Sequence, residues 1–171
     1  MVSVTVQTLV VSTSNTPSVV VLCPVDSVTA PESLLIIPIW IGHHEAAQIG
    51  TAIEHIRFSR PMTHDLFLDA LTNLDAIIDH IEIVKVEGST FFAELIMKQY
   101  DREIRVDARP SDAIALAIRQ KAPILMAEEV LNHASFTYNI KHTPTIKESE
   151  EELAAFRSFL TDLVPEDFKA L

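Results

Sequence analysis

The chain has 171 residues, enough for one domain with its own core, and 48% of them are hydrophobic against 22% charged, the balance of a globular protein. Its net charge is −11, no Lys or Arg precedes Arg57, and no two basic residues are adjacent. The basic stripe by which proteins commonly hold a nucleic-acid backbone is therefore missing from the sequence, although scattered cations can still converge on folding. Cys23 stands alone, which excludes an intrachain disulfide and fits a reducing compartment.

Residues Val2 to Val11 alternate apolar and polar side chains, the period of a half-buried strand. With no basic stretch ahead of it, this start reads as a strand and not a signal peptide, and the apolar runs are too short to span a bilayer. The expectation is a soluble, cytoplasmic protein without a membrane partner. "VVVLC" (Val19–Cys23) suits a second strand. "LLIIPIWIG" (Leu34–Gly42) suits a third, with Pro38 calling for an edge or a bulge.

Gly42 ends that strand, and "HHEAAQIGTAIEHI" then has the helical period, with Ala46, Ile49, Ile53 and Ile56 on one stripe. A second helix opens at "THDLFLDALTNL". Thr63 is its expected N-cap, Asp65 suits the positive end of its dipole, and Leu66, Phe67, Ala70, Leu71 and Leu74 form its expected buried face. Three strands follow, "AIIDHIEIVKVE", "TFFAELIMKQY" and "EIRVDA", joined by short turns that imply antiparallel hairpins.

"DARPSDAIALAIR" (Asp107–Arg119) then places Arg109 in extended backbone before Pro110, which suits the first position of a third helix. Ala113 to Ile118 leaves that helix no polar face, so it should be buried on most sides. "APILMA" is a short strand or link, and "EEVLNHA" a short helix. Residues 136–147 read as a linker, and 148–171 as an acidic amphipathic helix and tail with a capping box at Ser149 and Glu152. Helices that do not alternate strictly with strands predict an α+β domain over 1–135, a mostly antiparallel sheet packed with helices.

Chemistry concentrates at the polar ends of these elements. Ser111 and Asp112 can satisfy the first amides of the third helix, with Arg109 paired to a carboxylate as a buried charge pair. Alternatively Asp107, Arg109 and Asp112 form one mouth that binds a metal or steadies charge on a phosphate. Glu45 lies at the edge of the first helix's apolar stripe, so it needs a partner, for which Arg57, Arg60 and Arg109 are candidates. His64 beside Asp65 either caps or serves as a base. "HHE" lacks the four-residue histidine spacing of a zinc helix, and no glycine-rich phosphate loop, nucleophile elbow or paired-cysteine motif occurs.

Three ordered segments, "IPIWIGHHEA" (Ile37–Ala46), "RPMTHDL" (Arg60–Leu66) and "DARPSDAIALAIR", together resemble the bifunctional nuclease domain family, with order and spacing that match from about Val2 to Ala134. The resemblance implies a compact α+β domain, usually oligomeric, in a family some of whose members are credited with cutting DNA and RNA. The chain departs from the common pattern at His43–His44 and in a longer loop at Pro24–Ser33. On this footing Glu45, His64, Asp65, Asp107 and Asp112 are the candidate catalytic residues. Glu45, Asp107 and Asp112 are candidate ligands of Mg2+ or Mn2+, and Arg60, Arg109 and Ser111 are candidate substrate-binding residues. No organic cofactor is expected; nucleic acid is the expected substrate and a homo-oligomer, first a dimer, the expected assembly. The competing reading is a non-catalytic interaction or anion-binding module.

Overall fold

The computed structural model describes residues 1–12, 17–26, 33–139, 155, 158 and 159. Eight strands form one sheet: β1 (Val2–Val10), β2 (Ser18–Pro24), β3 (Ser33–Ile41), β4 (Ala76–Glu87), β5 (Thr90–Gln99), β6 (Arg102–Ala108), β7 (Ile124–Met126) and β8 (Phe136–Asn139). Their spatial order is β6-β5-β4-β7-β1-β2-β3-β8. Every pairing is antiparallel except β4 with β7. The helices are α1 (His43–Ile53), α2 (Thr63–Asn73), α3 (Pro110–Gln120) and α4 (Glu128–Ala134). This is the expected α+β domain, and the parallel pair arises because α3 carries the chain from β6 back across the sheet to β7. Among the described residues no helix is long and apolar enough to cross a membrane.

The continuous apolar run of β2 is explained by burial on both faces. Val20 and Leu22 join the main core with Ile49 of α1 and Ile114 of α3. Val19, Val21 and Cys23 join a second cluster on the opposite face with Leu34 and Ile36. There Phe159 packs on Tyr138, ring centroids 5.4 Å apart. Pro38 pairs with Val21 of β2, while β8 meets β3 only at Ser33–Ile36. Among the described residues the proline thus lies on a stretch of β3 that pairs on one side only, the kind of place a residue without an N–H takes in a sheet.

Four expectations change. The stretch read as a linker begins with a strand, β8, which closes one edge of the sheet; the rest of 136–147 lies outside the described residues, as does the expected C-terminal helix apart from 155, 158 and 159. The first helix stops at Ile53, with His55 in left-handed backbone (φ 52°), so Ala52 is buried and Ile56 is exposed. Met62, not Thr63, is the N-cap of α2, and its N–H donates to Asp65 Oδ2 at 3.2 Å. Of the five residues expected on the buried face of α2, Leu71 alone is buried; the helix is rotated so that Leu66, Phe67, Ala70 and Leu74 face outward.

The orientation of the three longer helices is fixed by Arg119, the one charge in the otherwise apolar body of α3. Its side chain is 9% exposed. Nε donates to Asp65 Oδ1 at 3.0 Å, and Nη1 donates to the main-chain oxygens of Gln48 and Ala115, each at 3.0 Å. Nη2 donates to Gln48 Oε1 at 3.3 Å and Thr51 Oγ1 at 3.1 Å. One guanidinium therefore binds α1 and α2 to α3, with all five of its donors used.

Replacing Arg119 with Ala leaves half-buried acceptors without a donor. With bonds to charged groups worth about 1.5–3 kcal/mol each and strongly coupled here, we expect a melting temperature lower by roughly 10 °C. Arg119→Lys is expected to recover little, since one ammonium cannot span acceptors on three helices. A melt followed by circular dichroism checks both.

Candidate functional site

The polar ends of three helices meet at the mouth of the sheet. β3 runs through Ile41 into Gly42 and α1; β6 runs through Ala108 into Arg109 and α3; α2 begins beside them. Arg109 is the N-cap of α3, in the extended backbone expected before a proline (φ −67°, ψ 141°), with Pro110 in the first turn. That conformation projects its guanidinium over the helix terminus. Nε donates to Asp112 Oδ2 at 2.7 Å and Nη2 to Asp112 Oδ1 at 3.1 Å, a bidentate fork. Nη1 donates to Glu45 Oε1 at 2.8 Å across to α1. On the far side of Asp112, His64 Nε2 stands 3.4 Å from Oδ1. Its Nδ1 is buried and meets no hydrogen-bond partner among the described residues.

Gly42 makes room for this arrangement. A Cβ built on it would meet Glu45 Oε2, the end of a flexible side chain, so a larger residue at the N-cap of α1 would push the Glu45 carboxylate from its place over the helix start. The Glu45 carboxyl is held below its ordinary range, first by its own main-chain N–H and then by Arg109. For Asp112, burial pushes the pKa up, but the hydrogen bond and charge of Arg109, with His64, outweigh it and the net shift is down. Arg109 is shifted upward by Asp112 and then Glu45. All three shifts favour the ionised cluster.

Beside the cluster a cleft of about 430 Å3 is lined by Trp40, Gly42, Glu45, Thr90, Phe91, Arg109 and Ser111, among others. A larger cleft, about 900 Å3, lies at the opposite ends of α1 and α3 against β1. It is lined mainly by apolar and uncharged residues and lacks this cluster, so the smaller cleft is the chemically relevant one.

The structure therefore brings together Glu45, His64, Arg109 and Asp112, with Ser111 buried at the same helix terminus. It separates the others. Asp65 points to Arg119 and to the start of its own helix. Arg60 is exposed before α2. Asp107 is exposed on β6, opposite Glu94 of β5. Among the described residues no three His, Cys, Asp or Glu side chains are grouped to hold one cation. Glu45 and Asp112 already share a guanidinium, so the expected Glu45–Asp107–Asp112 set does not fit a resident Mg2+ or Mn2+ as placed. Arg109, expected as a buried charge, is 64% exposed, which lowers its worth to the ~0.2–1 kcal/mol of an exposed pair. The sequence reading missed the pairing of His64 with Asp112 and the role of Arg119. A lone arginine ending a helix with no polar face was the available signal for the latter.

The profile of the bifunctional nuclease domain matches residues 28–139. Two curated proteins, the uncharacterized protein Rv1829 of Mycobacterium tuberculosis strain ATCC 25618 / H37Rv and the uncharacterized protein MT1877 of strain CDC 1551 / Oshkosh, are each 39% identical to this chain over 136 residues, covering 78% of it and 81% of theirs. The chain belongs to the bifunctional nuclease domain family.

Because Glu45 and Asp112 titrate below their ordinary values, their stabilisation is fully present above the unfolded carboxylate pKa and is lost as pH falls through the lower folded values. The melting temperatures of wild type and Arg109→Ala should differ at neutral pH. They should converge as the pH falls below about 4, the unfolded carboxylate range, and the two carboxylates take up protons. Parallel melts across that range provide the measurement.

Proposed function

We propose that this family member cleaves phosphodiester bonds of DNA, RNA or both at the Glu45–His64–Arg109–Asp112 cluster. One observation carries the reading: an exposed guanidinium is fixed at a helix N-terminus by two carboxylates, and one of those carboxylates also faces an imidazole. Three of the five Arg109 donors are engaged, which leaves two for phosphate oxygens. The first amides of α3, at Ser111 and Asp112, add the positive end of a helix to the same place. Charge that grows on the phosphoryl oxygens in the transition state meets donors already oriented, which is where electrostatic catalysis acts. The proton of the attacking hydroxyl, from water or a ribose 2′-OH, passes to His64 Nε2, the ring nitrogen on the Asp112 side, since Nδ1 is buried; Asp112 balances the imidazolium charge, and as the new P–O bond forms the bond to the leaving oxygen breaks and that oxygen takes the proton from the imidazolium. No step is assigned to a cation, given how the carboxylates are engaged.

The second reading, a non-catalytic interaction or anion-binding module, is favoured by the self-sufficiency of the cluster: each charge already has a partner.

Purified protein, assayed on single- and double-stranded DNA and on RNA beside a mock preparation, decides between them. Arg109→Lys and His64→Gln are expected to lower cleavage by about 100-fold or more, the usual cost of losing a charge-stabilising donor or a proton-transfer group. Asp107→Asn, outside the hydrogen-bonded cluster, is expected to cut like wild type. Cleavage should persist in chelator. Equal rates for wild type, both cluster variants and the mock would leave the non-catalytic reading standing, and loss of activity in chelator would show that a cation takes part.

A further inference from the structure

Trp40 is the one tryptophan of the chain. It stands in the first of the three motif segments, yet the charged cluster makes no use of it. Its ring packs against both apolar clusters of the sheet, which holds it in place. It is nevertheless only half-buried, and it lines the same cleft as Arg109. Because β8 meets β3 only at Ser33–Ile36, the end of β3 that carries Trp40 pairs with β2 alone among the described residues.

A half-buried tryptophan at the mouth of a site is either a piece of packing or a surface for a flat ligand, and its company decides which. The cleft holds about 430 Å3, within the ~300–1,000 Å3 of small-ligand sites and enough for one nucleotide. Phe91 and Ile39 add apolar lining, and Ser89 and Thr90 add hydroxyls. Arg109 adds the two guanidinium donors that Asp112 and Glu45 leave unused. A flat apolar surface, hydroxyls and a cation in one small cleft match a base, its polar edges and its phosphate. A purely apolar ligand would leave the guanidinium without an anion, and a bare phosphate would leave the indole in water.

We propose that this cleft seats the nucleobase next to the phosphate held by Arg109, with the base stacked on Trp40 and drawn out from between its neighbours in the strand. The inference rests on the cleavage reading in taking a nucleic-acid strand as the ligand, and it adds a binding residue to that site. Stacking also answers a difficulty of charge. A chain of net charge −11 without a basic stripe cannot hold a polyanion by Coulomb attraction alone, whereas an aromatic platform attracts every base and is not screened by salt.

The test uses the full chain. With a single indole present, intrinsic fluorescence reports on this cleft alone. A short single-stranded oligonucleotide with phosphorothioate linkages, which keep it uncut, is titrated beside the same strand made abasic, a nucleoside monophosphate and inorganic phosphate. Anisotropy of end-labelled strands gives the affinities. The natural strand is expected to quench the emission, and the abasic strand and phosphate to leave it unchanged. Trp40→Leu should bind the natural strand about 10-fold more weakly, and Trp40→Phe, which keeps a ring, should restore most of the loss. Binding of the abasic strand should be the same in all three proteins. A tryptophan that only supports the fold would weaken both strands alike, and that result overturns the proposal. So does a natural strand that binds without quenching, a monophosphate that quenches where the strand does not, or no strand binding at all. Quenching and base-dependent binding without cleavage of an ordinary strand would sink the cleavage reading and leave this one standing; cleavage without quenching would do the reverse.

Discussion

Three helices of this protein are oriented by one guanidinium. Arg119 draws acceptors from the body of α1, the first turn of α2 and its own helix. Apolar packing alone would let these short helices slide or rotate, because contact between small aliphatic faces sets distance better than it sets angle. A planar fork with five fixed N–H directions has no such freedom. The three helix starts consequently meet at one point, and Glu45, His64 and Asp112 are delivered to the reach of Arg109. The two arginines of the third motif divide the labour: Arg119, nearly buried, sets the frame, and Arg109, mostly exposed, presents the charge.

Much of this was legible in the residues. The alternation of β1, the double-sided run of β2, the two hairpins and the proline-led core helix each follow from a local pattern that the tertiary structure respects. Pro110 and the preceding Arg109 adopted the backbone that their chemistry dictates. The pairing of Glu45 with Arg109 followed from a carboxylate at the edge of an apolar stripe, though Arg57 and Arg60 were equal claimants until the fold chose. β8 was missed because polar residues and a later proline mask four residues of strand that a neighbouring edge captures.

The rotation of α2 was illegible for a different reason. A hydrophobic stripe announces burial without naming the surface that buries it, and of the stripe on α2 the core takes only Leu71. Asp65 shows the converse. A carboxylate next to a histidine at a helix start invites a catalytic reading, yet in this fold it caps its own helix and holds Arg119. Asp107 shows a third case, since adjacency in sequence to Arg109 and Asp112 suggested a shared site, while in the fold it is exposed on β6 opposite Glu94 and takes no part in the bonded cluster.

Asp107 does have a consequence at the margin of the sheet. β6 is the outermost strand on its side, and four of its seven residues are charged: Arg102, Glu103, Arg105 and Asp107. Arg105 is bound to Glu94 on the neighbouring strand β5, to Glu82 on β4 beyond it and to Glu103 on its own. A foreign strand adding to this margin would have to bring matching charges at alternate positions or strip water from unmatched ones. An eight-stranded sheet with an open flank is a template for runaway fibre growth, and this flank is written in a code that a stray hydrophobic segment cannot read.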